Sequence, residues 1–194
     1  MTVTSSLKPG IAARRIASFE KRFGQAHLFL AYHAALPLVL TSDLLYSLWI
    51  NFRQDLRGQA LNIPWYAVAD LLLSSLCQEV GYELYQMEAT VRNELLNRLQ
   101  QHERFGQTRI EELSNFLLDH IRQQLRSNDP DVQNFAKVQR WAALAYTRPH
   151  QTTYELASVF SQLNFDNPAE ILRMSSLLET LSLPLPEFQQ DYQN

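Results

Sequence analysis

The hydrophobic pattern between residues 63 and 99 constrains the fold of this chain most, because its period changes twice within a short length. After Pro64, whose fixed φ suits a first helical turn, apolar residues recur at helical spacing. From residue 80 the period falls to two, as in a strand, and from residue 89 the helical period returns. The residues that define the three periods are Trp65, Val68, Leu72 and Leu76, then Val80, Tyr82 and Leu84, and finally Val91, Leu95 and Leu99. A helix, a strand and a helix in this order are typical of a winged-helix-like or similar small α+β unit.

Two expectations about neighbouring residues follow from this pattern. The short branched stretch 36–40 predicts a brief edge strand that pairs with residues 82–87, since Pro37 is tolerable at the beginning of a strand. The sheet would then have two strands. On the last helix, the polar positions opposite the apolar stripe are expected to face solvent, and they are Arg92, Asn93, Asn97 and Arg98.

The rest of the chain is also predicted to be helical. Helical spacing or end signals mark residues 11–23, 26–35, 42–54, 107–126, 129–148, 151–163 and 167–181. Gly24 is expected to end the first of these helices and Ser42 to cap the third. We therefore divide the chain into a flexible arm (1–10), a winged-helix-like helical part (11–104), a helical bundle packed on it (105–186) and a polar tail (187–194).

Composition places the chain among ordinary globular proteins. Of its 194 residues, 46% are hydrophobic and 19% are charged, which is enough apolar material for a substantial core. The single cysteine, Cys77, cannot form an internal disulfide, and this fits a reducing cytoplasm. The most apolar run, residues 26–40, is interrupted by His27, His33 and Pro37 and is shorter than a membrane span. The start does not resemble a signal peptide, so we expect a cytoplasmic protein that does not contact a membrane.

The charge is unevenly distributed along the chain. Five basic residues face one acidic residue up to His33, whereas twelve face nineteen in the remainder, within a net charge of −3. The basic front end is either a solvated helix face or a docking surface for an acidic partner. Its candidate contact residues are Arg14, Arg15, Lys21 and Arg22.

No arrangement of residues points to catalysis or to a cofactor. The five histidines are scattered, and none stands at the spacing that helical metal ligation requires. Cys77 is expected to end a very apolar helix as an inert buried thiol, with a nucleophilic role as the open alternative. Carboxylates such as Glu111 and Glu112 lie beside Arg109 on what we expect to be a solvated helix face. Five glycines cannot build a usual phosphate-binding loop, so we predict no enzyme, no metal and no cofactor.

A winged-helix-like unit raises DNA binding, which the sequence argues against. Residues 64–76 would form the recognition helix, and they contain no Lys or Arg and only one charge, Asp70. Glu79 and Glu83 in the wing would repel phosphate as well. Contact with another protein is the remaining use of such a unit. Aromatic residues often anchor protein interfaces, and those in this unit are Trp65, Tyr66, Tyr82 and Tyr85. The alternative for each of them is simple packing in the core.

Several stretches of the chain resemble a known class of module. They are LPL at 36–38, AVADLLLSSL at 67–76, GYELY at 81–85 and VRNELL at 91–96. Together, over residues 11–181, the chain resembles the winged-helix-like module near the amino terminus of large bacterial, especially cyanobacterial, signalling and conflict proteins. The resemblance implies an adaptor associated with effector or sensor parts. In that pattern an effector part would follow residue 194, so the module acts alone through partners or the chain is a fragment.

The sequence thus predicts a mainly α protein in which a winged-helix-like unit, with a short two-stranded element, packs on a C-terminal helical bundle. We expect a non-catalytic protein–protein interaction module, regulatory in bacterial signalling or conflict systems, with an effector or sensor protein as partner. The alternative is a nucleic-acid-binding protein that uses the basic N-terminal helix. The candidate interaction residues are Arg14, Arg15, Lys21, Arg22, Tyr66 and Tyr85.

Overall fold

The structure, a computed structural model, describes residues 7–162 and the isolated positions 174, 177 and 181. Within them the chain forms eight α-helices and one two-stranded sheet. The helices are α1 (Leu7–Phe23), α2 (Gln25–Ala34), α3 (Ser42–Asn51), α4 (Ala67–Leu72), α5 (Ala89–Gln101), α6 (Gly106–Ile121), α7 (Pro130–Ala145) and α8 (Pro149–Ser161), and the strands are β1 (Cys77–Gly81) and β2 (Leu84–Met87). The mainly α prediction with a small two-stranded sheet is confirmed. The helix predicted after residue 166, apart from the three isolated positions, and the polar tail lie outside the described residues.

The chain divides into two compact units, Met1–Leu113 and Ser114–Asn194. The domain boundaries expected from the sequence, which separate a front part from a bundle after residue 104, stay a prediction. Within residues 7–162 and the three positions beyond them, no helix combines the length and apolarity that a bilayer crossing requires.

Helix α1 begins earlier than expected and ends where expected. Residues 7–10 are already helical, so the prediction of a loose arm is wrong for them, while residues 1–6 lie outside the described part. Pro9 is accommodated because the first turn of a helix has no intrahelical partner for its amide nitrogen. The predicted stripe packs inward at Ala12, Ile16 and Phe19, with Phe23 half-buried.

The two-stranded sheet forms from different partners than predicted. β1 and β2 pair as an antiparallel hairpin around the turn Tyr82-Glu83, so the single strand expected from residue 80 is wrong. Glu83 has φ +54°, the left-handed geometry that allows this two-residue turn. The expected strand 36–40 contributes only Leu40, whose amide donates to Tyr85 O at 2.7 Å and whose carbonyl accepts from Tyr85 N at 2.9 Å.

Helices α3 and α4 both differ in detail from the sequence prediction. Thr41, not Ser42, caps α3, since its side chain accepts from the Leu44 amide at 3.1 Å. α4 has only six residues, although hydrogen-bonded turns extend it on both sides. Before it, the Trp49 indole donates to Ile63 O at 2.8 Å and anchors the approach to α4.

Arg92 on α5 is buried, which corrects the expectation of a solvent-facing position. The residue is 1% exposed, and its Nη2 donates to Leu36 O at 2.8 Å. Leu36 follows the end of α2, where carbonyl groups lack an intrahelical partner. A long-range hydrogen bond therefore explains why a charged residue lies among α5's buried leucines.

Helix α6 follows its predicted stripe, whereas on α7 the predicted Phe135 and Val138 are only half-buried. On α6 the residues Ile110, Leu113, Leu117 and Ile121 are all buried, and a short 3₁₀ turn at Gln124–Arg126 replaces the expected last turn of this helix. In the second unit the Ser114 hydroxyl donates to Ala143 O at 2.6 Å. Glu155 on α8 accepts from Trp141 Nε1 on α7 at 3.2 Å and also pairs with Arg140.

Candidate interaction surface

The basic residues predicted as contacts lie on α1, where the structure leaves them exposed but partly engaged. Arg15 Nη1 pairs with Glu88 Oε2 at 2.5 Å, and Arg14 Nε donates to Gly10 O at 3.2 Å. Arg22 stacks over the Phe23 ring, with 5.0 Å from its guanidinium carbon to the ring centroid. Lys21 is exposed on the same helix. Three of the four candidates therefore already contact their own chain.

The solvent-facing side of α4 is apolar. Hydrogen bonds from Asp70 N to Tyr66 O (3.1 Å) and from Leu73 N to Ala69 O (3.0 Å) continue the helical geometry around this short helix. Positions 65, 69 and 73 consequently fall on one face. Trp65 is 62% exposed and Leu73 80% exposed, so the expectation that Trp65 points inward is wrong, while Val68 and Leu72 are buried as predicted.

The hairpin adds further exposed apolar side chains. Tyr82 at the turn is 88% exposed, and Val80, at the register shift between Glu79 and Gly81, is 52% exposed. Because the shift leaves Val80 out of the ladder, its side chain is not held against the partner strand. We call Trp65, Tyr66, Leu73, Val80 and Tyr82 the α4–hairpin residues. Of the two predicted tyrosines, Tyr66 is half-exposed, whereas Tyr85 is half-buried beside Leu40.

The charged residues of the sequence segment that carries the α4–hairpin residues all have one sign. From Gly58 through Val91 the sequence contains no Lys or Arg, and its charged residues are Asp70, Glu79, Glu83 and Glu88. A surface that binds the nucleic-acid backbone depends on cations. This part of the molecule is therefore suited to partners without a polyanionic backbone.

A buried histidine holds the one carboxylate beside the exposed rings. His27 Nε2 lies 3.0 Å from Asp70 Oδ2, and the ring of His27 stacks on Phe23 at 5.5 Å and contacts Tyr66 at 5.8 Å between centroids. A carboxylate can only accept, so Nε2 carries the proton. The sequence did not predict this contact, because positions 27 and 70 lie on different helices and no spacing links them.

A second polar cluster is enclosed within the first unit. Arg109, which we expected on a solvated face, is 3% exposed; its Nη2 donates to Gln54 O at 2.7 Å and its Nε lies 3.0 Å from Glu112 Oε2. The guanidinium also lies over the rings of Phe52 and Phe105, at 5.1 and 5.4 Å. Phe105 precedes Arg109 by four residues, which is the only local signal for this burial.

The tautomer of His33 follows from its two neighbours in this cluster. Its Nδ1 lies 2.5 Å from Phe29 O, and because a carbonyl can only accept, Nδ1 carries the proton. Nε2 is therefore free of a proton and accepts from Arg109 Nη1 at 3.3 Å. Burial, reinforced by the charge of Arg109, lowers the pKa of His33 to about 3. His33 is thus a neutral structural acceptor at ordinary pH.

The prediction that Cys77 ends a helix is wrong, because Cys77 begins β1. Its thiol is half-buried, and burial raises its pKa to about 12. Since the thiolate is the reactive form, this environment disfavours a nucleophilic role. Among the residues that the structure describes, no three His, Cys, Asp or Glu side chains converge as metal ligands would.

Comparison with family models, with curated proteins and with solved structures finds no match for this chain. The resemblance to bacterial winged-helix-like adaptor modules therefore stays a prediction from the sequence.

Proposed function

We propose that this chain is a non-catalytic protein-interaction module that contacts its partner through the α4–hairpin residues. The observation that carries the proposal is the exposure of Trp65, Tyr66 and Tyr82 in a segment without a basic residue. Large aromatic side chains are the residues that most often supply binding energy at protein interfaces. Leaving several of them in water is otherwise unfavourable, since each forgoes the free energy of burial.

The order of elements in the first unit supports a winged-helix-like reading. α2 is followed by the bridging residue Leu40, then by α3, α4 and the β1–β2 hairpin, and Leu40 pairs with β2 rather than β1. In this reading α4 takes the place of the helix that enters the DNA groove in winged-helix proteins. Its exposed side presents tryptophan, tyrosine and leucine instead of the cations and amides that contact phosphates and bases.

The proposed role is that of a regulatory adaptor whose partner is an effector or sensor protein, as the resemblance to bacterial signalling and conflict proteins implies. No cofactor is part of this proposal. A cytoplasmic location fits the use of a single half-buried cysteine. The nucleic-acid alternative relies on α1, where Lys21 and the partly engaged Arg14, Arg15 and Arg22 would have to bind phosphate.

Photo-cross-linking tests where a partner binds. A photoreactive phenylalanine analogue replaces Tyr82 in the full chain, and the matched control replaces Tyr154, which is 77% exposed on α8. In the source cells we expect a discrete cross-linked species from position 82 that is absent from position 154. Trp65→Ala in the position-82 protein should abolish it.

Two results would refute the proposal. One is equal cross-linking from both positions, which would indicate non-specific contact. The other is a position-82 product that survives both Trp65→Ala and Tyr66→Ala, because the aromatic side chains would then be irrelevant to the contact.

A further inference from the structure

We propose that the partner presents an arginine or lysine side chain from an amphipathic segment, and that Trp65, Tyr66 and Asp70 together receive it. This inference rests on the proposed function and specifies the chemistry of the partner. It combines three observations: the geometry of the two rings, the position of the carboxylate and the sign of the surrounding charge.

The rings of Trp65 and Tyr66 stand nearly perpendicular to each other in an edge-type contact, and we call the angle between them the corner. Their centroids are 6.0 Å apart and their planes meet at 80°. Both side chains are at least half-exposed, so their faces are accessible to a ligand. A cation within about 6 Å of an aromatic face is attracted by the ring's electron density, and two perpendicular faces allow one cation to contact both.

Asp70 supplies the formal negative charge beside this corner. Its position is fixed because His27, which is buried, donates to Oδ2 at 3.0 Å and contacts the Tyr66 ring. The Asp70 side chain nevertheless keeps 37% of its surface exposed. The same histidine thus positions a ring and a carboxylate, so a ligand meets both without ordering them first.

In the described part of the chain, the cation–ring contacts lie on rings other than those of this corner. Within the described residues, guanidinium groups stack on Phe23, Trp49, Phe29, Phe52 and Phe105, whereas no stacking on Trp65 or Tyr66 occurs. All four charged residues of the segment from Gly58 to Val91 are acidic. Charge complementarity therefore favours a basic partner, and the exposed Leu73 on the same face favours apolar side chains next to its cation.

Nuclear magnetic resonance of the tryptophan indoles can test this directly. The chain has three tryptophans: the Trp49 indole donates to Ile63 O, the Trp141 indole donates to Glu155, and Trp65 is largely exposed. The probe is a synthetic amphipathic peptide of roughly 14 residues, long enough to form a helix, with leucine on one face and arginine on the other. The control peptide replaces each arginine with citrulline, which has the same shape without the charge.

We expect the arginine peptide to shift the Trp65 indole signal saturably while the signals of Trp49 and Trp141 stay in place. The citrulline peptide should bind at least about ten-fold more weakly, since it lacks the cation. Asp70→Asn should weaken the arginine peptide several-fold. Glu79→Gln removes the same charge from β1, a different element, and should have little effect. Unshifted Trp49 and Trp141 signals in each variant show that the fold is intact.

The outcomes separate this inference from the proposed function. Equal binding of both peptides overturns the cation requirement, while cross-linking at position 82 still stands or fails on its own result. No Trp65 shift with either peptide also overturns the inference. Equal weakening by Asp70→Asn and Glu79→Gln would mean a diffuse charge effect without a defined site. A Trp65 shift that depends on protein concentration alone would identify a second copy of the chain as the occupant, against the proposal.

Discussion

Arg109 and His33 show how two polar side chains can be buried with hydrogen-bond partners. The guanidinium of Arg109 donates to Gln54 O and to His33 Nε2, and it lies over two aromatic rings. Each donor directed at a neighbour replaces a hydrogen bond to water. Burial lowers the pKa of Arg109, but from a value so high that the group stays charged. The cluster links α2, α6 and the residues after α3.

Replacing Arg109 tests how much this cluster stabilises the fold. Arg109→Met retains the apolar stem but leaves the buried His33 Nε2 and the carbonyl of Gln54 without their donor, so we expect a loss of about 2–4 kcal/mol in the free energy of unfolding. Urea denaturation measures it. The matched control is Arg53→Met, since Arg53 also lies over a ring, that of Trp49, but is exposed and should cost less than about 1 kcal/mol. Equal losses would contradict the buried role of Arg109.

The lowered pKa of His33 predicts a pH dependence of stability. Above its ordinary value of 6.5 both the folded and the unfolded state hold His33 neutral, so its contribution to stability is fully present. As the pH falls toward about 3, the unfolded chain takes up a proton that the folded chain excludes, and stability falls by about 1.4 kcal/mol per pH unit.

His33→Asn isolates this proton, because asparagine still offers an amide donor to Phe29 O and does not titrate. Unfolding free energies between pH 6 and 4 should fall less steeply in the variant than in the parent, by close to one proton's slope. The pKa of His102, lowered by partial burial and by Arg104, adds a slope common to both proteins. Parallel pH profiles would show that His33 is accessible to protonation in the folded state.

At the scale of elements, the junction between α1 and α2 depends on a glycine. Gly24 has φ +90° and ψ 173°, a region essentially restricted to glycine, and its amide donates to Glu20 O at 2.8 Å. This geometry lets one helix end and the next begin with no linker between them. The predicted end of the first helix at Gly24 is confirmed.

Two glycine-to-alanine substitutions should therefore have opposite effects. Gly24→Ala is expected to destabilise the protein by about 1–3 kcal/mol, because a side chain strains this backbone conformation. Gly10→Ala, inside α1 with open space around it, should stabilise by up to about 1 kcal/mol through helix propensity. Thermal unfolding of both variants gives the signs. A neutral Gly24→Ala would show that α1 and α2 are joined differently.

The hairpin shows why local patterns predicted a strand and missed a turn. Residues 80–85 alternate in polarity, which is the expected signature of one strand, but Tyr82 and Glu83 form the turn and carry no Gly or Asn to mark it. The sequence predicts a pairing of residues 36–40 with residues 82–87, and the structure forms only the bridge between Leu40 and Tyr85. Both backbone polar groups of Tyr85 bond to Leu40, while β2 pairs with β1 along its other edge.

At the scale of the whole molecule, charge discriminates between the two proposed functions. The net charge of −3 and the acidic segment around α4 oppose binding to a polyanion, while α1 is locally basic. We expect that micromolar protein does not retard a short DNA duplex at low salt. Non-specific binders with several free cations have dissociation constants of roughly 10⁻⁴–10⁻⁶ M even at physiological salt, so this assay would detect such a protein. Retardation that weakens steeply with salt and is lost in Arg14→Ala/Lys21→Ala would favour the nucleic-acid alternative.

The sequence by itself determined the helices and most of their inward faces. The stripes of α1 and α6 and the nearly all-apolar α2 are buried as predicted, because helical periodicity is a local property that each segment carries. Composition likewise indicated a globular chain with a real core. Among the candidate contacts, Tyr66 is half-exposed, and its role in binding stays a prediction.

Only the tertiary structure decided which polar residues are buried and which aromatic residues are exposed. Arg92 and Arg109 lie inside because carbonyl groups more than fifty residues away need donors, and Trp65 lies outside because α4 turns that side away from the core. The corner of Trp65, Tyr66 and Asp70 likewise depends on His27 from another helix. These partners are distant in sequence, and periodicity carries no information about which distant groups will meet.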